Sequence, residues 1–186
     1  MSSTSAARTI ENPIIKDKVT FLETAAETRG KRTLVQVELA PGGGNQLHFH
    51  KSFDETFIVV EGILGIQLGR EVHNLAVDET ATAPAGSLHR FFNPSTTESV
   101  VFKVLLQPGS AGFEKTIQVA YGLARDGRTT NKGVPKNLYH MALIVKWSDT
   151  NIPGLFSWLE PVLRWIAKRA VKKGIDRELV AAYCRF

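Results

Sequence analysis

Residues 42–62 read GGGNQLHFHKSFDETFIVVEG, and they constrain this chain more than any other stretch. His48 and His50 stand one residue apart. On a β-strand the side chains at i and i+2 share a face, so an extended 46–50 segment presents two imidazoles side by side. Lys51, Ser52 and Phe53 read as a turn, after which Asp54 and Glu55 open a second apolar run. A hairpin there returns Glu55 beside the histidines. Two imidazoles and a carboxylate on one face suit a divalent first-row metal. Residues 84–93, PAGSLHRFFN, then bring His89 after a Pro/Gly turn. His89 is the expected fourth ligand.

These residues resemble the two motifs of the cupin superfamily, G-x5-H-x-H-x(3,4)-E-x6-G and G-x5-P-x-G-x2-H-x3-N. Gly42, His48, His50, Glu55 and Gly62 match the first motif. Pro84, Gly86, His89 and Asn93 match the second, whose first glycine falls on Asp78. That position makes a turn, so the departure bears on a loop and not on the ligands. The resemblance covers roughly residues 30–108. It implies an all-β, cupin-type double-stranded β-helix, a jelly-roll barrel. It also implies one divalent transition metal (Fe, Mn, Ni or Zn) held by His48, His50, Glu55 and His89. His73 and His140 lie outside both motifs and read as structural.

The strand pattern supports an all-β barrel independently. Residues 32–39 alternate, with Thr33, Val35, Val37 and Leu39 on one face and Leu34, Gln36 and Glu38 on the other. Short apolar runs follow at 46–50, 55–60, 63–68, 71–76, 80–83, 88–92 and 99–107, broken by Gly62 and Gly69. Many short strands with glycine turns indicate a sandwich or barrel. The Gly42–Gly44 run is a flexible turn and not a phosphate loop, because no Lys-Ser/Thr or helix start follows. After Pro108-Gly109 the period becomes helical. Helices are expected at 111–124, at 137–147 capped by Asn137, at 155–173 and at 176–183. Pro161 sits inside the third of these or breaks it after Glu160. The organisation expected is a flexible arm (1–11), a barrel (12–108) and a C-terminal helical extension (109–186).

Net charge is +5, and residues 151–186 carry most of it, with seven Lys/Arg against three acids. The basic character therefore belongs to the tail. Its amphipathic helix, with Leu155, Leu159, Val162, Leu163, Ile166, Ala167 and Ala170 on one stripe, is expected to pack on the barrel or on a second subunit. Membrane-surface contact through Trp158 and Trp165 is the lesser alternative. Nucleic-acid binding finds no supporting motif. The single cysteine, Cys184, excludes an internal disulfide and fits a reducing, cytoplasmic setting. No secretory signal or spanning helix is read from the sequence.

Strand alternation places Gln46, Phe57, Val59, Phe91 and Asn93 on the ligand face. That lining is mostly apolar, with Gln46 the candidate for orienting water or substrate. A small, weakly charged organic molecule fits it better than a sugar phosphate. Two functions follow. One is a metal-dependent oxidoreductase, dioxygenase-like. The other is a binding or sensing module whose metal is structural. A homodimer is expected from exposed strand edges and the terminal arm.

Overall fold

Burial along each strand follows the alternation in the sequence. The computed structural model describes residues 8–151 and 159–185. Within it β1 (Thr9–Asn12), β2 (Asp17–Glu23) and β3 (Thr33–Leu39) run consecutively. The short β4 (Phe49–His50) precedes β5 (Asp54–Glu61), β6 (Leu64–Leu68) and β7 (Glu71–Leu75). β8 (Thr80–Ala83), β9 (His89–Phe92) and β10 (Val100–Gln107) complete the barrel region. One antiparallel sheet has the order β1-β2-β3-β10-β5-β8, and a second has the order β7-β6-β9. Both contribute to one apolar core, in which Phe57, Phe102, Leu39 and Leu106 meet Leu64 and Ile66. In β3 the buried residues are Thr33, Val35, Val37 and Leu39, as the pattern requires. This is the jelly-roll arrangement expected, with helices following it in the chain.

Two details differ from expectation. Thr9 to Glu11, expected within a flexible arm, lie in β1, where Ile10 pairs with Val19 and Glu11 with Lys18. Residues 1–7 lie outside the described residues. The expected 46–50 strand shrinks to β4, because residues 44–48 meet β9 through isolated bridges at Gly44 and His48 and through Asn45, whose side chain takes the Phe91 N–H in place of a ladder bond. Asp78, which replaces the motif glycine, adopts φ 68° and so occupies the left-handed region itself. Asp and Asn tolerate that region better than most side chains, and the turn survives the substitution.

The extension forms a helical layer. α1 (Ala111–Arg125) is capped by Ser110, whose side chain accepts from Phe113 N–H. α2 (Leu138–Ser148) is capped by Asn137, which accepts from Tyr139 and His140 N–H. β11 (Thr150–Asn151), α3 (Glu160–Lys172) and α4 (Ile175–Tyr183) follow. Pro161 sits in the first turn of α3, where its missing N–H costs nothing. The expected helix start at Leu155, and Trp158, lie outside the described residues. On α3, Leu163, Ile166, Ala167 and Ala170 are buried, whereas Leu159 and Val162, expected on the same stripe, are exposed. No helix among the described residues is long and apolar enough to cross a membrane.

α1 joins the two layers. Its Phe113, Ile117, Ala120 and Tyr121 pack on the barrel core, while Val119 and Leu123 belong to the helical core. Buried Glu114 accepts hydrogen bonds from Ala25 N–H (2.6 Å) and from the Thr33 hydroxyl, fixing the first turns of α1 to the sheet. Gly122 permits close approach of α4, since a Cβ there would lie 2.1 Å from Tyr183 Cδ1.

At the other end of α1, the Tyr121 hydroxyl donates to Asp17 Oδ2, while Oδ1 is buried without a partner. Burial raises the Asp17 carboxyl to about 7, more than the Tyr121 bond lowers it. The folded state therefore holds this proton more tightly than the unfolded chain does. Stability from this group is full at low pH and falls as pH rises through about 7. The span from 3.8 to about 7 corresponds to at most about 4 kcal/mol. Asp17→Asn should remove that slope, so its melting temperature should gain on the parent's between pH 4 and pH 8. Parallel curves by circular dichroism would show that Asp17 does not titrate there.

Candidate metal centre

Two turns, clamped to each other, bring the motif residues together. His48 and His89 exchange backbone hydrogen bonds, His48 N–H to the His89 carbonyl at 3.0 Å and His89 N–H to the His48 carbonyl at 2.8 Å. The chain turns through Lys51–Phe53 into β5, which carries Glu55 opposite Ala83 of β8 and Leu106 of β10. In the second turn Gly86, at φ 84°, donates to the His50 carbonyl at 2.6 Å. Ala85 N–H donates to Asp54 Oδ1 at 2.8 Å. Each turn thus fixes the backbone beside a ligand of the other.

The side chains converge. One donor atom each from His48, His50, Glu55 and His89 lies within 4.8 Å of all the others. His50, Glu55 and His89 are 2 %, 5 % and 2 % exposed, and His48 is half-buried. His89 Nε2 stands 2.8 Å from Glu55 Oε2, and His48 Nε2 stands 3.1 Å from His50 Nε2. His48 Nδ1 contacts the Gln46 carbonyl at 2.7 Å, and His89 Nδ1 contacts the Ser87 carbonyl at 2.9 Å. A carbonyl accepts only, so both Nδ1 atoms carry the hydrogen and both Nε2 atoms aim at the cluster. That is the orientation of a ligating histidine. Across a metal, donors on bonds of about 2.0–2.2 Å are separated by up to about twice that length, close to the spread observed. The donor set fits a borderline transition metal and not Ca or Mg.

Burial and charge settle the proton inventory. Burial lowers His48 to about 4, with His89 and His50 pushing the same way against Glu55. His50 is also lowered by burial, more than Glu55 and Asp149 raise it. Burial alone would raise Glu55, but the His89 hydrogen bond and the surrounding imidazoles bring it below the usual carboxylate value. Burial would lower His89, yet the Glu55 bond and charge raise it. His48 and His50 are therefore neutral at neutral pH, as ligands must be. His89 and Glu55 share the proton that a cation would displace.

The surroundings differ from the expected lining. Gln46 is exposed, and it is its backbone carbonyl that meets His48, because residue 46 lies outside the ladder. Phe57 and Val59 are packed core. Asn93 is structural: its amide donates to the Leu39 and Glu98 carbonyls, and its oxygen accepts from Ser95 N–H. His73 is on the exposed β7, and His140 is buried in the helical layer. The residues around His50 were not expected. Phe53 stacks on its ring at 4.4 Å, Phe113 of α1 meets it edge-on at 6.2 Å, and Asp149 accepts from Lys51 N–H at 2.8 Å. Phe113 and Asp149 come from far along the chain, and no local pattern announces them.

Residues 35–106 match the family model of the cupin domain. The probable oxidoreductase virH of Hypocrea virens is 34% identical over 93 residues, 47% of this chain and 42% of that protein. The oxidoreductase iacF of Pestalotiopsis fici is 40% identical over 67 residues, 35% of this chain and 33% of that protein. The chain spans less than half the length of these curated relatives. Among solved structures, an RmlC-like cupin from Shewanella frigidimarina superposes with a TM-score of 0.51 at 17% identity. That superposition covers 60% of this chain and 93% of the other, and it speaks to the fold alone.

The His89–Glu55 coupling is open to direct measurement. In metal-free protein followed by NMR, His89 should titrate above the ordinary histidine value. In Glu55→Gln, which keeps an acceptor but removes the charge, the midpoint should fall as burial takes over. An unchanged midpoint would show that Glu55 is not what raises His89.

Proposed function

Residues 35–106 are a cupin domain, and from that premise we propose that the chain holds one divalent transition metal on His48, His50, Glu55 and His89 and uses it in oxidoreductase chemistry, dioxygenase-like, on a small, weakly charged organic molecule. The observation that carries this reading is the convergence of the four donor atoms with inward-facing Nε2 atoms. When bound, such a metal supplies a Lewis-acidic centre with coordination positions left open for substrate or dioxygen. The oxidoreductase names of the two partial relatives support the reaction class.

The chain's own residues shape what can approach. Phe53, Phe57, Phe91 and Phe113 form the apolar surroundings of the imidazoles and of one another. Arg90 is occupied by Gln67, at 2.8 Å, and by the Phe92 ring. Lys103 stands between Phe102 and Val104, whose side chains are buried, and so points to the outer face of β10. Neither cation is turned toward the cluster, which favours a weakly charged substrate over a phosphate ester. The second reading is a binding or sensing module whose metal is structural, since one fold hosts both roles.

Elemental analysis of the purified protein should find about one metal ion per chain, and the His48→Ala/His50→Ala double variant should hold none. Equal metal in the two proteins would refute the assignment. The Fe(II)-loaded protein should then consume oxygen with candidate diols or diketones faster than free Fe(II). Tight binding of such molecules without turnover by any redox metal would favour the module.

A further inference from the structure

Two of the three imidazoles are oriented from within the barrel, and the third is not. His48 and His89 each place Nδ1 on the carbonyl two residues upstream, that of Gln46 and of Ser87. The equivalent partner for His50 would be the His48 carbonyl, which accepts from His89 N–H at 2.8 Å and makes no bond to His50 Nδ1. His50 Nδ1 is instead buried with no hydrogen bond closed in this structure. The groups outside the barrel that bear on His50 are the Asp149 carboxylate and, more weakly, the Ser148 backbone at the end of α2.

The chain just beyond Ser148 is built onto the same strand. Asp149 adopts φ 52° at the C-terminus of α2 and turns the backbone into β11. Thr150 then pairs with His50, and Asn151 with Phe49. The Asp149 carboxylate takes the N–H of Lys51, the residue that follows His50, at 2.8 Å across 98 positions of sequence. Asn151 closes the turn by donating to the Asp149 carbonyl at 2.6 Å. β4 has only β11 as its partner in that two-stranded ladder.

We propose that the helical extension is part of the metal site, with Asp149 as the positioning residue that holds the Ser148 carbonyl against His50 and so sets how tightly and how long the metal is kept. This rests on the metal reading above. A ligating histidine normally gives its second N–H to a fixed acceptor, and losing that acceptor costs roughly 10–100-fold in metal affinity. In cupin terms the barrel supplies all four ligands, yet one of them is aimed by residues outside it. Coupling of this kind is reciprocal: the metal should steady the 148–151 turn as much as the turn steadies the metal.

The test uses the full chain loaded with Co(II), whose visible ligand-field bands report the ligand geometry. Asp149→Ala should bind Co(II) roughly 10–100-fold more weakly, release it faster to a chelator and shift the bands. Asp149→Asn keeps an oxygen that accepts from Lys51 N–H, so it should restore affinity and bands to near the parent's. A merely structural residue would lower the melting temperature of the metal-free protein and leave the bands of the folded, loaded fraction unchanged. Hydrogen exchange on the parent needs no variant: Co(II) loading should raise protection at Lys51 and across 148–151. Equal affinity, release and spectrum in Asp149→Ala would overturn the proposal while leaving the metal assignment intact, and so would unchanged exchange. A parent chain that binds no Co(II), Fe(II), Mn(II), Ni(II) or Zn(II) would overturn both.

Discussion

Two reciprocal backbone hydrogen bonds between His48 and His89 join the two halves of the site, and the rest of its geometry is set from them. Each bond is worth only about 0.5–1.5 kcal/mol net, which is small beside the cost of burying His50, Glu55 and His89. The burial is tolerated because the charges answer one another. Glu55 is 5 % exposed, and an unpaired carboxylate there would be neutralised by a raised pKa. His89 at 2.8 Å reverses that tendency. The backbone bridge fixes which groups meet, and the ion pair makes the meeting affordable without a cation.

Much of this was legible in the sequence, for a physical reason. Spacing by two along a strand and the return of a hairpin are local rules, and they found His48, His50 and Glu55; His89 came from the second motif of the resemblance. Alternation found the buried face of β3. The Asp78 turn was legible as a departure, and the left-handed backbone there explains why the loop survived it. Gln46 was misplaced because the alternation rule holds only inside a ladder, and residue 46 lies outside one. Phe113 and Asp149 were illegible because their places depend on how the helical layer docks, which no local period encodes.

That docking is where the extension ceases to be an appendage. α1 presents one side to the barrel core and another to the helical core, so neither layer is complete without it. Its N-terminal turns are pinned by Glu114 to Ala25 and Thr33, and the residue just before Glu114 is Phe113, which meets both His50 and Phe53. Aromatic edge contacts of this type add about 0.5–1.5 kcal/mol beyond their buried area. The stacking of Phe53 on His50 is thus backed by a helix that cannot shift without breaking buried hydrogen bonds.

The consequence is a site with a rigid back and one softer side. His50, Glu55 and His89 are sealed by Phe57 on β5, by Phe113 on α1 and by the buried Phe53 of the turn between β4 and β5. His48 alone is half-buried, and it stands on the short segment held by isolated bridges instead of a continuous ladder. Local opening is cheapest where backbone bonds are few and exposed. His48 is thus the most exposed of the four cluster residues, and its ring is oriented by one carbonyl, that of Gln46. Gln46 had been expected to act through its side chain. Its backbone carbonyl is instead the group that fixes the His48 ring, so the residue serves the cluster through its main chain.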